Sequence, residues 1–256
     1  MQHRISHIFR IFVEKIYADM FENKSSFLGN LPPVVRNLLI INTLLWLASY
    51  TLANKIDLTD YLGMHYWHSS KFNPAQIISY MFMHANFWHL FVNMFGLFMF
   101  GRILEQVLGP KRFLFYYITC GIGAALVQQL FWSFEIMPVI TQVHQQIAQG
   151  ASPNLLSQLN LELNNFITIG ASGSIFGLLL AFGFLFPEQP IFMMFIPIPI
   201  KAKYFVVIYA LIELFSGVAQ FSGDNIAHFA HLGGLVAGLI VLVYWRRNPL
   251  DRFKRQ

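Results

Sequence analysis

The stretch that decides the fold is residues 170–187, GASGSIFGLLLAFGFLFP, an apolar run without a charged residue. A transmembrane helix needs about 20 consecutive, mostly apolar residues, and this run comes close to that length. Five further segments of the same character lie along the chain, at 33–54, 77–100, 113–133, 203–221 and 228–245. The sequence therefore predicts an all-α, polytopic membrane protein built as a six-transmembrane-helix bundle.

The composition excludes most other classes of protein. The chain has 256 residues, of which 56% are hydrophobic and 11% charged, whereas a soluble globular domain carries roughly 25% charged residues. A water-soluble fold would lack the polar groups needed to cover its surface. Intrinsic disorder is excluded by the high hydrophobicity, and a coiled coil by the low charge. The single cysteine, Cys120, lies in an apolar run and forms no internal disulfide.

The segments outside the apolar runs divide the chain into three parts. Residues 1–30 carry apolar side chains at three- and four-residue steps with charged residues between them, which predicts an amphipathic cytoplasmic arm on the membrane surface. Residues 31–246 form the membrane domain, and residues 247–256 form a basic cytoplasmic tail. Within the membrane domain, residues 134–165 are polar and rich in Gln and Asn. They are predicted to form an outer loop with a short helix of its own.

The basic residues predict the orientation of the chain. Of the 17 lysines and arginines, 15 lie in the N-terminal part up to Arg36, the 101–112 loop, the 187–203 loop and the C-terminal part from Arg246 onward, and the opposite loops hold only Lys55 and Lys71. Cytoplasmic loops of membrane proteins carry this excess of basic residues. Both termini are therefore expected in the cytoplasm, in a multi-pass protein of a cytoplasmic (inner) cell membrane. The net charge of +5 is then a topology signal, so no nucleic-acid partner is expected.

Strongly polar residues within the predicted spans are candidates for function, because a polar group in the membrane must face protein or water. They lie on segments 2, 4, 5 and 6, and are His84, His89, Asn93, Ser172, Glu213, His228 and His231. Successive segments cross the membrane in opposite directions, so all of these residues lie toward the outer end of their segment. The sequence therefore predicts a single site that opens toward the extracytoplasmic side.

Helix arithmetic places two of these residues at the same depth. The helix from Ser172 to Phe186, which precedes the proline at the end of the segment, is about 22 Å long at 1.5 Å per residue. From His231 to Tyr244, before the closing basic residues, is about 21 Å. Against a hydrocarbon core of about 30 Å, both side chains lie roughly 8–9 Å below the outer surface. A serine and a histidine at matching depth can meet.

Small residues indicate how the two segments approach each other. Two pairs of glycines stand four residues apart, Gly173 with Gly177 and Gly234 with Gly238. This spacing allows close contact between helix backbones in membranes. His231 lies on the same helix face as its glycine pair, and Ser172 directly precedes the other pair. A serine beside a histidine is the minimum for nucleophilic catalysis, in which the imidazole takes the hydroxyl proton.

Donors for a developing oxyanion are present near the same place. Ser172 begins the fourth segment, where unpaired backbone N–H groups favour an anion. His89 and Asn93 share one face of the second segment because they are four residues apart. Other interpretations stay open at this point: Ser172 as a packing serine, Ser174 as a rival nucleophile, and His231 as an interhelical histidine.

Three motifs carry a family resemblance: HANFWHLFVN at 84–93, GASG at 170–173 and AHLGG at 230–234. In this order, on segments 2, 4 and 6, they resemble the rhomboid family of intramembrane serine proteases over residues 33–245. The resemblance implies a six-helix rhomboid-like fold and hydrolysis of peptide bonds in or near the transmembrane segments of membrane proteins. It also implies that Ser172 is the nucleophile and His231 the general base, in a dyad without an acidic third member.

The resemblance assigns further residues to the site. It implies that His89 and Asn93 form the oxyanion hole with the backbone N–H of Ser172. It also implies that Phe176 is the aromatic residue on which the catalytic imidazole rests. The residues expected to support the site are Gly170, Gly173, Phe176, His84 and Gly234. Because the fifth segment of the family is tied to substrate access, Glu213 is a candidate gating residue as well as a hydrogen-bonded structural group.

Two other functions are compatible with intramembrane polar residues. A non-proteolytic rhomboid-like chaperone would share the fold, and a proton-coupled transporter would also hold His and Glu inside the membrane. The chain has no His-Glu-x-x-His motif and no aspartate within a predicted span, so neither a zinc protease site nor a paired-aspartate protease site is expected. No cofactor and no metal are expected. The expected partners are single-span or other transmembrane protein substrates and the lipid bilayer.

Overall fold

The computed structural model describes residues 31–193, 196–219 and 227–247 as a bundle of helices with two small antiparallel sheets. The helices are α1 (Pro33–Leu52), α2 (Leu58–Leu62), α3 (Gln76–Ser79), α4 (Phe87–Leu108), α5 (Pro110–Ala148), α6 (Asn154–Leu163), α7 (Ser172–Leu185), α8 (Ala202–Ala219) and α9 (His228–Arg247). The strands are β1 (Met64–His65), which pairs with β2 (Ile167–Thr168), and β3 (Pro190–Met193), which pairs with β4 (Ile196–Lys201). The predicted arm, residues 1–30, and the tail from residue 248 onward lie outside the described residues.

Five helices are long and apolar enough to cross a membrane: α1, α4, α5, α8 and α9. The predicted fourth span corresponds to α7, an apolar helix of 14 residues, which is about 21 Å long. This length falls short of a hydrocarbon core of about 30 Å. The prediction of a helical membrane bundle is thus confirmed, and in the described residues the six predicted spans correspond to five long helices and the short helix α7.

The start of the second span was predicted wrongly. The chain forms a 3-10 turn at Tyr80–Phe82 and is extended at Met83 and at Asn86, so the membrane helix α4 begins only at Phe87. The side chain of Asn86 accepts a hydrogen bond from the backbone N–H of His89 at 2.9 Å and caps the helix. Hydropathy does not register this cap, because the residues on either side are apolar.

The end of the second span also differs from the prediction. Helix α4 continues through most of the stretch expected to be the 101–112 loop and ends before Gly109, whose φ is +79°. The buried carboxylate of Glu105 near this end accepts hydrogen bonds from the backbone N–H groups of Val34 at 3.0 Å and Val35 at 2.8 Å. A charged residue can therefore lie inside this part of the bundle, because it caps the start of α1.

The third span is longer than predicted, because helix α5 continues for 39 residues to Ala148. Residues 134–148 are therefore helical, and the prediction of a loop there is wrong. The short helix predicted in the same loop is confirmed as α6. Ile136 and Ile140 of α5 are buried in one cluster with Leu159 and Leu163 of α6. A hydropathy count does not detect this apolar stripe, because the residues around it are polar.

A β-hairpin of β3 and β4 connects α7 to α8 where a loop was expected. Glu188, which precedes β3, forms ion pairs with Lys201, at 2.8 Å, and with Lys203. The hydrogen bonds from these two ammonium groups lower the pKa of the exposed Glu188 carboxyl to about 2. The carboxylate therefore stays charged at physiological pH and links both ends of the hairpin.

Helices α7 and α9 pack directly against each other, and both also contact α5. A Cβ added to Gly234 would overlap the carbonyl oxygen of Gly173, and one added to Gly177 would overlap the side chain of Cys120. The backbones of α7 and α9 are therefore in direct contact, as the spacing of the glycines predicts. This contact brings the first turns of the two helices together.

Replacing Gly234 with alanine is expected to destabilise the folded protein by about 1–3 kcal/mol, because the added methyl group forces α7 and α9 apart. The measurement is the midpoint of unfolding in detergent micelles, by heat or by SDS. Leu239→Ala is the matched control, since it shortens an exposed side chain of the same helix; a change below about 0.5 kcal/mol is expected there. Equal stability of the Gly234→Ala variant and the wild type would contradict the proposed role of the contact.

Candidate active site

Ser172 is the first residue of α7 and contacts a histidine of α9. The chain before it is not helical, because Gly170 has a φ of +129°, a backbone conformation that favours glycine. The hydroxyl oxygen Oγ of Ser172 lies 2.7 Å from Nε2 of His231. This distance is that of a hydrogen bond between a hydroxyl group and an imidazole. The structure thus brings together the two residues predicted at equal depth on different segments.

The ring of His231 is held against an aromatic side chain. Phe176, one turn after Ser172 on α7, stacks on the imidazole with a centroid distance of 4.3 Å and an angle of 9° between the planes. Phe176 in turn packs against Tyr209 of α8. The imidazole therefore has a fixed plane, and its Nε2 points at the serine.

The other nitrogen of His231 has an acidic partner. Nδ1 of His231 lies 2.9 Å from Oε2 of Glu213 on α8, and the same oxygen lies 2.6 Å from Nδ1 of His228. Glu213 is buried. The family resemblance implies a dyad without an acid, and here the structure differs from it. The sequence signal for this contact was the position of Glu213 at the same end of its segment as the other polar residues.

Glu213, His228 and His231 are also a group of side chains with the right chemistry to hold a metal ion, with ligand atoms within 4.8 Å of one another. In a tetrahedral zinc site with bonds of about 2.0–2.1 Å, neighbouring ligand atoms are about 3.3 Å apart. The separations of 2.6 and 2.9 Å between the carboxylate oxygen and the ring nitrogens are shorter and are those of hydrogen bonds. As the structure describes them, the three side chains form a hydrogen-bonded cluster.

His89 lies near the serine, beside Gly170. Its Nδ1 accepts a hydrogen bond from the backbone N–H of Ala85 at 3.3 Å, so in the neutral ring Nε2 carries the hydrogen. An ideal Cβ on Gly170 would lie 2.8 Å from Nε2 of His89 and 3.7 Å from Oγ of Ser172. The donor of His89 and the serine hydroxyl therefore flank one small volume, and only glycine leaves that volume open.

Asn93 lies one turn further along α4 and is 5% exposed. Its Nδ2 donates a hydrogen bond to the carbonyl oxygen of His89 at 2.9 Å, which leaves the second N–H of the amide for another acceptor. Helices α4 and α7 touch one turn later, where a Cβ on Gly96 would lie 2.9 Å from the side chain of Ile175. Asn93 and Ser172 each precede that contact by three residues, so they stand at the same level.

His84 is part of the site but lies on the extended segment before α4 rather than on the membrane helix, which corrects its predicted position. Its ring is 5.0 Å from that of His89 at an angle of 64°. Neither ring nitrogen has a hydrogen-bond partner among the described residues. Burial, with a smaller effect of His89, lowers the pKa of His84 to about 3. The ring is therefore neutral, and it packs against the ring of His89.

The rival nucleophile Ser174 has a different environment. It is 1% exposed, and its hydroxyl donates a hydrogen bond to the carbonyl oxygen of Tyr117 on α5 at 2.8 Å. Gly173, the residue between the two serines, packs closely against Ala124, which also belongs to α5. Ser174 therefore acts as an interhelical contact. Ser172 is the serine of this pair that meets a base.

The chain is similar to known proteins of one family. The family model for the Rhomboid domain matches residues 71–248. The chain is 27% identical over 184 residues to "Rhomboid protein 1, mitochondrial" of Saccharomyces cerevisiae, covering 72% of this chain and 45% of the yeast protein. It is 25% identical over 180 residues to "RHOMBOID-like protein 12, mitochondrial" of Arabidopsis thaliana, covering 70% of this chain and 47% of the plant protein.

A bacterial relative covers more of both chains. "Putative rhomboid protease YdcA" of Bacillus subtilis is 28% identical over 229 residues, which is 86% of this chain and 92% of that protein. The chain thus spans less than half the length of the yeast and plant relatives and nearly all of the bacterial one.

Ser172 is expected to react with a fluorophosphonate in the purified protein, because the hydrogen bond to His231 makes its hydroxyl nucleophilic. Labelling is measured by gel fluorescence and by mass spectrometry of the modified peptide. The variants Ser172→Ala and His231→Ala are expected to lose the label. Ser174→Ala is the matched control and should keep it, since the change removes only a hydrogen bond worth about 1 kcal/mol. Labelling that persists in Ser172→Ala would contradict this assignment.

Proposed function

The chain belongs to the rhomboid family, and on that premise we propose that it is an intramembrane serine endopeptidase. Its reaction is the hydrolysis of a peptide bond in or near the transmembrane segment of a membrane-protein substrate. The observation that carries the proposal is the 2.7 Å hydrogen bond between Oγ of Ser172 and Nε2 of His231. Serine hydrolases need this contact to activate the hydroxyl group.

In the first half of the reaction, Oγ of Ser172 attacks the carbonyl carbon of the substrate peptide bond while its proton passes to Nε2 of His231. The tetrahedral intermediate collapses when the imidazolium returns that proton to the leaving amine nitrogen. The carbon–nitrogen bond breaks, and the acyl group remains as an ester on Ser172. The ring stacked on Phe176 keeps its nitrogen directed at the reacting atoms.

In the second half, a water molecule attacks the ester carbonyl and gives its proton to Nε2 of His231. The second tetrahedral intermediate releases the carboxyl product, and the proton returns to Oγ of Ser172. Both halves are acyl transfers with a single acid–base group, so the reaction calls for no cofactor.

Three donors are proposed to stabilise the oxyanion of both intermediates. The first is the backbone N–H of Ser172 at the start of α7, where helix N–H groups are unpaired. The second is Nε2–H of His89, which flanks the space above Gly170 with the serine. The third is the N–H of Asn93 that remains after its bond to the carbonyl oxygen of His89. Donors of this kind act most strongly where water is excluded.

The substrates, the orientation and the location belong to the same proposal. The apolar helices support a multi-pass membrane protein. The 15 basic residues on one side support cytoplasmic termini and a site that opens on the extracytoplasmic side. Single-span or other transmembrane proteins are then the substrates, cleaved near the outer end of their helix. A bacterial cytoplasmic membrane suits this orientation.

Purified protein in proteoliposomes is expected to cleave a single-span substrate into two fragments, and Ser172→Ala and His231→Ala are each expected to abolish cleavage. Fragments are measured by gel electrophoresis and mass spectrometry, and folding by the unfolding midpoint. Ser174→Ala again serves as the control that keeps its activity. A wild-type protein that binds the substrate without cleaving it would favour a non-proteolytic rhomboid-like chaperone. Proton uptake coupled to solute flux would favour a transporter.

His89→Ala and Asn93→Ala are each expected to lower kcat by about 10²–10³-fold, because each removes a donor to the oxyanion. The matched control is Asn42→Ala on α1, since Nδ2 of Asn42 donates to a carbonyl oxygen four residues back, as that of Asn93 does. That control should lose stability but keep its kcat. An unchanged kcat in both test variants would contradict their role as donors.

A further inference from the structure

The carboxylate of Glu213 lies between two imidazoles beside the serine. Its Oε2 is 2.6 Å from Nδ1 of His228 and 2.9 Å from Nδ1 of His231. Glu213 belongs to the second half of α8, and the histidines to the first turn of α9. The side chains are largely buried, with 8% exposed for Glu213 and 10% for each histidine. The two hydrogen bonds therefore join α8 to α9 next to Ser172.

The contact with Glu213 decides which nitrogen of His231 carries the hydrogen. A neutral imidazole has one N–H and one acceptor nitrogen, and an ionised carboxylate can only accept. Nδ1 of His231 faces the carboxylate, so it carries the hydrogen. Nε2 is then left as an acceptor, 2.7 Å from the hydroxyl of Ser172. This is the tautomer that a general base needs.

We infer that Glu213 is a positioning residue, which holds His231 in the tautomer of a general base and balances the charge that its ring gains during the reaction. The inference rests on the proposed function and adds an acid to the Ser–His pair that the family resemblance implies. The proton from Oγ of Ser172 binds Nε2 of His231, and the carboxylate stays ionised. Imidazolium and carboxylate then form an ion pair. This pairing matters because an isolated cation is energetically costly in a buried site.

His228 holds the carboxylate in place. It donates its Nδ1–H to the same oxygen that accepts from His231, so rotation of the Glu213 side chain would break both bonds. Movement of α8 away from α9 would break them as well. The contacts therefore favour a positioning role for Glu213 over the gating role expected from the family resemblance.

The competing explanation is that Glu213 only fastens α8 to α9. The experiment compares Glu213→Gln, which removes the charge, and Glu213→Asp, which keeps it, with the control Glu105→Gln. Glu105 is another buried carboxylate that accepts two hydrogen bonds; it lies near the end of α4, where it caps the start of α1 away from the serine. For each variant, kcat, KM and the pH dependence of kcat are measured, with the unfolding midpoint as a check on folding.

Glu213→Gln is expected to lower kcat by about 10²–10⁴-fold with KM changed by less than about threefold. The acidic limb of its pH profile should differ from that of the wild type, because the carboxylate that accepts from Nδ1 of His231 is gone. Glu213→Asp should recover part of the kcat and the wild-type limb. Glu105→Gln should lower stability and leave the pH profile unchanged. A folded Glu213→Gln protein with the wild-type kcat and pH profile would overturn the inference.

Two further measurements keep the inference testable if the Gln variant does not fold or the wild type cleaves no substrate. The ¹⁵N NMR signals of His231 in the wild type report its tautomer directly, and a hydrogen on Nε2 instead of Nδ1 would overturn the inference. The rate of fluorophosphonate labelling of Ser172 in Glu213→Asp and Glu213→Gln reports activation of the serine without any protein substrate. Labelling that depends on Glu213 in a protein without protease activity would refute the proposed function and support the positioning role.

Discussion

The contact between the backbones of α7 and α9 at Gly173 and Gly234 is the constraint on which the site depends. A Cβ on Gly234 would overlap the carbonyl oxygen of Gly173, so the distance between the two helices is fixed by the backbones themselves. Ser172 directly precedes one of these glycines, and His231 lies three residues before the other. Backbone contact leaves little freedom for this pair, and the 2.7 Å hydrogen bond follows from it.

The fold could be predicted from the sequence where burial in lipid is the dominant force, and not where local hydrogen bonds decide. Apolar runs located all the membrane helices of the described chain, because every span needs them. The start of α4 was missed, because the cap by Asn86 and the extended chain before it lie within an apolar stretch. The length of α5 was missed for the opposite reason, since its contact with α6 buries an apolar stripe among polar residues.

The site could be predicted as far as depth and helix face determine it. Both properties follow from residue spacing, and they predicted that Ser172 and His231 lie close together, whereas the place of Phe176 was expected only from the family resemblance. The bonds of Glu213 were not predicted, because they depend on how α8 is rotated against α9, which spacing within one helix does not reveal. These bonds offset the free-energy cost of burying the Glu213 carboxylate. A buried carboxylate is destabilising unless hydrogen-bond donors contact it, and here two imidazoles donate to one of its oxygens.

The shortness of α7 sets how deep the site lies. The helix is about 21 Å long, against about 30 Å of hydrocarbon, so in the proposed orientation non-helical chain fills the remaining depth before Ser172. Lipid tails cannot satisfy the polar groups of such chain, and the protein does so instead, as where Gly170 donates its N–H to the carbonyl oxygen of Tyr80 at 2.9 Å. One added helical turn would raise the serine by about 5.4 Å. In the proposed protease, the residue at which a single helix begins would therefore determine which stretch of a membrane-embedded substrate can reach Ser172, and how far water must travel to complete the reaction.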